Sequence, residues 1–273
     1  MSIIAISRGT FSGGEAVAQG VAERLGYRCV SREVIMEAAR SYGVPAEELL
    51  VRMDRRPALW ERVAGVRLTH RALVQAALCE YARGGKLVYH GYLGHLFLPG
   101  VSHVIAVRVI ADVEFRLKAA MEQQGLAREE ALRYIDKVDK ERRQWTRFLF
   151  DVDWDDSQLY AAVLNLGAMS VETACEVTAR LAERPEFQPT PASTKAMHDL
   201  MLKSLVAAML ATDQRTQGLV AEVIAADGVV TVSGTTQSPA LIEAVPIVVR
   251  QVDGVKEVQA RIRLLREGTP YNA

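Results

Sequence analysis

Charge of one sign is missing from this chain. Thirty-three Lys and Arg face thirty-three Asp and Glu over 273 residues, so the net charge is zero with histidine neutral. No global field therefore draws the chain to nucleic acid or to an anionic membrane, and such binding would need a local patch; nucleic acid is not an expected partner. Cysteine is scarce: Cys29, Cys79 and Cys175 are far apart and form no CxxC pair. That excludes a disulfide framework and a thiolate zinc site, and it fits a reducing cytosol. Long apolar runs are absent as well, none approaching the eighteen residues of a membrane span. The opening MSIIAISRG is too short for a signal sequence and has no charged n-region. The expectation is a soluble, cytoplasmic protein.

What is present divides in two. From residue 1 to 183, short apolar runs alternate with long amphipathic stretches. Residues 184–195 lie within ERPEFQPTPASTK, which is rich in Pro, Ser and Thr and reads as a linker. A compact unit follows over residues 196–266. In the first part, strands are expected at Ile3–Ile6, Leu87–Tyr89, Val104–Val107 and Ala162–Asn165. Helices are expected over 14–25, 31–43, 45–53, 57–83, 111–124, 127–149 and 170–182. Strands interleaved with helices imply an α/β fold, a parallel sheet flanked by helices on both faces. The second part reads as a small α+β unit of order αββαβ. Its helices lie near 196–211 and 239–252, and Asp227-Gly228 makes a hairpin between two β-branched runs. A unit of this size is near the lower limit for a self-sufficient core, and its edges are left to pair or pack against something else, a second copy of the chain included. Val245, Ile247, Val248 and Val249 form either its core or an apolar patch, the core being the ordinary outcome.

Between the first strand and the first helix stands Gly9-Thr10-Phe11-Ser12-Gly13-Gly14-Glu15-Ala16. Gly9 and Gly14 have the spacing of a phosphate-binding P-loop, where backbone amides and a helix N-terminus converge on phosphate oxygens. The lysine position of that motif holds Glu15, and the magnesium-binding hydroxyl position holds Ala16. A carboxylate about 4 Å from a phosphate oxygen repels it by about 4 kcal/mol at an effective dielectric near 20. The cradle then requires Glu15 to turn away and cations to come from elsewhere. The alternative is a plain glycine-rich β–α turn that binds nothing.

The run ISRGTFSGGEAVAQGVAERLGYRCVSREVI resembles the start of the cytidylate kinase-like family, whose pattern reads ISRxxGSGGxxIAxxLAxxLGxxxxDREII. Three further stretches extend the resemblance over most of residues 1–183: Leu87-Val88-Tyr89-His90-Gly91, His103 to Leu117 with Arg116, and Asp139 through Arg147 to Leu164-Asn165. It implies a P-loop kinase-like fold, ATP with Mg2+, and phosphoryl transfer to a nucleoside monophosphate such as CMP. It also implies roles. Gly9, Thr10, Ser12, Gly13 and Gly14 would hold phosphate. Arg142 and Arg147 would be catalytic lid arginines. Arg32, Arg116 and Asp139 would bind substrate. The family's Gly-Arg-Gly appears as Gly91-Tyr92-Leu93, so an expected arginine has become Tyr92; His90 and His95 nearby are either substitute donors or, as a lone histidine more often is, packing residues. Lys140, Arg143 and Arg147 also fit a solvated charged face, the usual meaning of a charge run. Asp151, Asp153, Asp155 and Asp156 lack the spacing of an EF-hand and suit turns and helix caps; no metal ligand set is expected.

Val223 to Gly234 and Gly254-Val255-Lys256-Glu257-Val258 resemble the BON domain, which implies a phospholipid or protein partner through residues 196–266. Two functions follow. One is a nucleoside monophosphate kinase. The other is an inactive kinase-like nucleotide sensor, or a scaffold, acting through the BON unit.

Overall fold

The computed structural model describes residues 1–43, 64–91 and 93–265. The helix expected over 45–53, the start of the one expected over 57–83, and Tyr92 lie outside the described residues.

Five parallel strands form the first sheet: β1 (Ile3–Arg8), β2 (Arg28–Val30), β3 (Leu87–Gly91), β4 (Val104–Ile110) and β5 (Ala162–Asn165), in the order β2-β3-β1-β4-β5. β1 lies at the centre, with Ile4 opposite both Val88 and Ile105. A central strand covered on both faces has no polar side to show, which is why Ile3–Ile6 is apolar without alternation. Ile4, Ile6 and Val88 pack on α1 (Gly14–Leu25) and α6 (Val171–Ala182). On the other face, Ile3, Leu87 and Tyr89 pack on α2 (Glu33–Tyr42) and α3 (Ala64–Ala82). The remaining helices of this part are α4 (Val113–Gln124) and α5 (Arg128–Phe150).

β2 is absent from the sequence reading. It has only three residues, and it forms because Arg28, Cys29 and Val30 meet Leu87, Val88 and Tyr89 far along the chain. The strand order also locates a cleft. β1 connects back past β3 to β2 while β4 connects onward to β5, and a ligand crevice opens at the strand C-termini where connections diverge in this way.

The helix expected from residue 196 begins earlier. α7 runs from Pro191 to Thr212. Thr190 caps it: the Thr190 hydroxyl accepts from the Ser193 amide at 3.1 Å, and the Ser193 hydroxyl accepts from the Thr190 amide at 2.9 Å. Proline at the first helical position is preorganised for helix, so the same Pro, Ser and Thr that suggest a linker here start a helix. α7 serves two cores. Met197, Leu200 and Ala208 pack with Leu73 and Leu78 of α3, while Leu202, Val206 and Leu210 pack under the second sheet.

That second sheet has β6 (Ala221–Ala226), β7 (Val229–Thr236) and β8 (Glu257–Leu264), in the order β6-β7-β8. Asp227 and Gly228 both take positive φ, as the tight hairpin turn requires. α8 (Pro239–Val249) runs through Pro246 and buries Val245, Val248 and Val249, leaving Ile247 outside. Among the described residues, no helix is long and apolar enough to cross a membrane.

Candidate phosphate site at the β1–α1 turn

The turn after β1 is held by its own side chains. Ser12 is buried, and its hydroxyl donates toward the carbonyls of Gly9 at 3.0 Å and Val109 at 3.1 Å, pinning the turn to β4. Gly13 has φ 79°, and a Cβ there would lie 2.6 Å from Leu166. Gly14 has no room either, since a Cβ would lie 2.6 Å from Arg8. Gly13 and Gly14 are thus required by packing, and they leave the first amides of α1 without intrahelical acceptors, facing the end of β1.

Phe11 occupies a left-handed conformation, with φ 59°. The family pattern has glycine at this position. A bulky residue in that region costs about 1–2 kcal/mol. The Phe11 ring offsets this by packing on the cluster of Leu117, Ala120, Ala131 and Ile135, with the Tyr134 ring 6.0 Å away.

Thr10 is the centre of a network that reaches two helices. Its amide and hydroxyl donate to Asp139 Oδ1 at 3.1 and 2.7 Å. Arg116 Nε donates to the Thr10 carbonyl at 2.7 Å, and the Arg116 guanidinium pairs with Asp139. Arg142 Nη1 donates to the Thr10 hydroxyl at 3.2 Å. Of the residues singled out from the sequence, Thr10, Arg116, Asp139 and Arg142 are therefore brought together, and Gly9 lies against Arg116.

Three buried polar atoms beside this network have no hydrogen-bond partner: Ser7 Oγ, Arg8 Nε and His90 Nδ1. All lie at the C-terminal ends of the adjacent strands β1 and β3, the end at which the strand order predicts a ligand crevice. Burial lowers the pKa of Arg8. Arg142 lowers it further, Glu15 opposes the shift, and Arg32 adds to it. Arg142 on α5 and Arg32 at the start of α2 thus lie within electrostatic reach of Arg8 on β1. Glu15 is 3.9 Å from Arg8 at 59% side-chain exposure, turned to solvent. Burial and then Arg8 depress the pKa of His90, so the ring is neutral at pH 7. Arg8 was not singled out from the sequence, although it stands in the ISR motif as the last residue of a strand.

Arg147 is not part of this group. It pairs with Asp153 at 2.7 Å and is 62% exposed. Arg143 pairs with Asp155 at 3.2 Å, and the buried Arg108 pairs with the same carboxylate. Asp156 caps the short 3-10 turn Ser157–Leu159 by accepting from the Gln158 amide. The aspartate-rich loop is a set of ion pairs and caps that fixes β4 to α5. Among the described residues, no group of three His, Cys, Asp or Glu side chains is placed to hold a metal ion. His95 stacks near Tyr160 with ring centroids 5.0 Å apart, and both its ring nitrogens are buried without partners.

The model of the cytidylate kinase-like family matches residues 3–168. The chain belongs to that family. A BON domain model matches residues 198–266. Among solved structures, an uncharacterized protein from Eubacterium ventriosum is similar, with TM-score 0.54 and 22% identity, covering 67% of this chain and 100% of that one. Shikimate kinase from Bacteroides thetaiotaomicron is also similar, with TM-score 0.43 and 14% identity over 67% of this chain and 99% of that one. The first likeness is one of fold. No curated protein sequence matches. This cytidylate kinase-like chain thus carries the family's parallel sheet and turn with a BON unit on α7.

Proposed function

We propose that this protein binds the phosphate of a nucleotide at the β1–α1 turn, between Gly13-Gly14 and the guanidinium groups of Arg8, Arg32 and Arg142. The carrying observation is the enclosed, unpartnered Nε of Arg8 beside the unpartnered Ser7 and His90 atoms. A buried donor left unmade costs about 1–3 kcal/mol, and an oxyanion in the cleft would satisfy it. The amides that open α1 add a favourable dipole for an anion.

The residues present fit a phosphate and do not fit a resident magnesium ion. Ala16 offers no hydroxyl, and the Asp139 carboxylate is taken up by Thr10 and Arg116. The reading is therefore metal-independent binding, with arginine side chains and helix amides supplying the positive charge. α7, shared by the two cores, gives a bound nucleotide a rigid route to the BON unit. The protein then acts as a nucleotide sensor, its output a protein or phospholipid partner of residues 196–266, in the reducing cytosol that its three free thiols suit.

A second reading is ATP-dependent phosphorylation of a nucleoside monophosphate such as CMP. It is favoured by Arg142, which reaches the turn from the lid helix as a charge-stabilising arginine would. Calorimetric titration with ATP, ADP and CMP, each with magnesium and with chelator, separates the readings when an ADP-release assay accompanies it. Saturable heat that chelator does not abolish supports the sensor. Turnover establishes the kinase. No heat at millimolar nucleotide removes both.

A further inference from the structure

β8 is an edge strand of an unusual kind. It pairs in parallel with β7 over eight consecutive residues, Glu257 to Leu264, without a bulge, and its other side has no strand among the described residues. Natural edges are blunted by proline, charged side chains, bulges or short length; Glu257–Leu264 has no proline and no bulge, and its charges, Glu257, Arg261 and Arg263, are of both signs and stand on one face. The Gly228 carbonyl accepts from the Lys256 amide, just ahead of the strand, at 2.8 Å and from the Glu257 amide at 3.3 Å, and the Thr236 carbonyl accepts from the Leu265 amide at 2.7 Å. Odd-numbered residues of β8 therefore turn their backbone groups to β7, and by the two-residue period of a strand the even-numbered ones turn theirs outward. Val258, Ala260, Ile262 and Leu264 present an open row of donors and acceptors.

We infer that β8 pairs with β8 of a second copy of this chain, antiparallel about a two-fold axis through Ala260. In that register the outward-facing pairs are Ala260 with Ala260 and Val258 with Ile262, the hydrogen-bonded sites of an antiparallel ladder. The alternate, closer sites then bring Glu257 opposite Arg263 and Gln259 opposite Arg261. Opposite charges meet twice by symmetry, on the sheet face where Glu257, Gln259 and Arg261 already form a hydrogen-bonded row. A two-residue slip that centres Arg261 sets it against its own copy, and a slip that centres Gln259 shortens the ladder. The strand is thus self-complementary in one long register, and the product is a continuous six-stranded sheet.

Sedimentation of the full chain across the micromolar range tests this. The expected result is a monomer–dimer equilibrium that Glu257→Arg and Arg263→Glu each weaken about ten-fold, and that the double variant E257R/R263E restores. Ala260→Pro removes an outward amide only, a position where an edge tolerates proline, and is expected to leave a folded monomer. A wild-type chain that stays monomeric throughout overturns the inference. A dimer indifferent to these substitutions, or a double variant no better than the singles, does so equally.

Discussion

Asp139 reaches from α5 to accept both the amide and the hydroxyl of Thr10, at 3.1 and 2.7 Å. One carboxylate thereby fixes the start of the glycine-rich turn to the lid helix, with Arg116 neutralising it. Asp139→Asn keeps the size and loses the charge. It should lower stability by about 2 kcal/mol, since hydrogen bonds to a charged group are worth about 1.5–3 kcal/mol each and some will survive. Urea unfolding of the two proteins checks this; equal midpoints would show that the pair is ornamental.

Arg142 and Arg147 differ in what surrounds them, and their substitutions should differ accordingly. Arg142→Ala removes a cation from the Arg8 cluster and should weaken nucleotide phosphate binding at least ten-fold, about the effect of one charge-assisted contact. Arg147→Ala breaks only an exposed pair with Asp153, worth about 0–1 kcal/mol, and should leave affinity unchanged. Parallel losses in the two titrations would place the anion elsewhere.

Glu15→Lys with Ala16→Ser returns the motif to its phosphate-binding form. Glu15 is largely solvated, so its repulsion is screened, and the gain in triphosphate affinity should be about ten-fold rather than the much larger factor for a buried charge. Titration with ATP and magnesium measures it. An unchanged affinity would mean that the turn cradles no phosphate.

Acid should loosen the fold before its carboxylates titrate. Burial pushes the His95 pKa down to about 4 from an ordinary 6.5, and burial lowers His90 and His103 in the same sense. A histidine whose folded pKa is depressed favours the neutral form, so its contribution is full above pH 6.5 and is lost as pH falls toward the folded value. For His95 alone this is on the order of 3 kcal/mol between pH 6.5 and 4. His95→Leu removes that proton uptake. Thermal melts at intervals from pH 7 to 4.5 should therefore fall less steeply for the variant; parallel curves would contradict the assignment.

The parts legible in the sequence are those fixed by neighbours along the chain. Asp227-Gly228 demands positive φ locally, and Ile3–Ile6 declares a two-faced burial, so hairpin and central strand follow directly. β2 escapes because three residues carry no pattern and its partner, β3, lies far along the chain. The start of α7 is ambiguous because Pro191 and Thr190 suit both a linker and an N-cap, and only the Ser193 hydrogen bonds decide. In the site, Gly13, Gly14, Thr10 and Arg142 can be picked out by spacing and resemblance. Arg8 and the orphaned nitrogen of His90 cannot, because what marks them is burial without a partner, a property of the packed ends of two strands. Arg147 shows the converse: it shares a helix stripe with Arg143, but the loop aspartates claim both.

α7 carries Leu200 into one core and Val206 into the other within two turns of helix. Neither unit can be lifted out without tearing an apolar seam from its neighbour. A chain ending before Pro191 would show water the side of Leu73 and Leu78 that Met197 and Leu200 cover. In this molecule two hydrophobic cores meet lengthwise along a helix instead of across a loop.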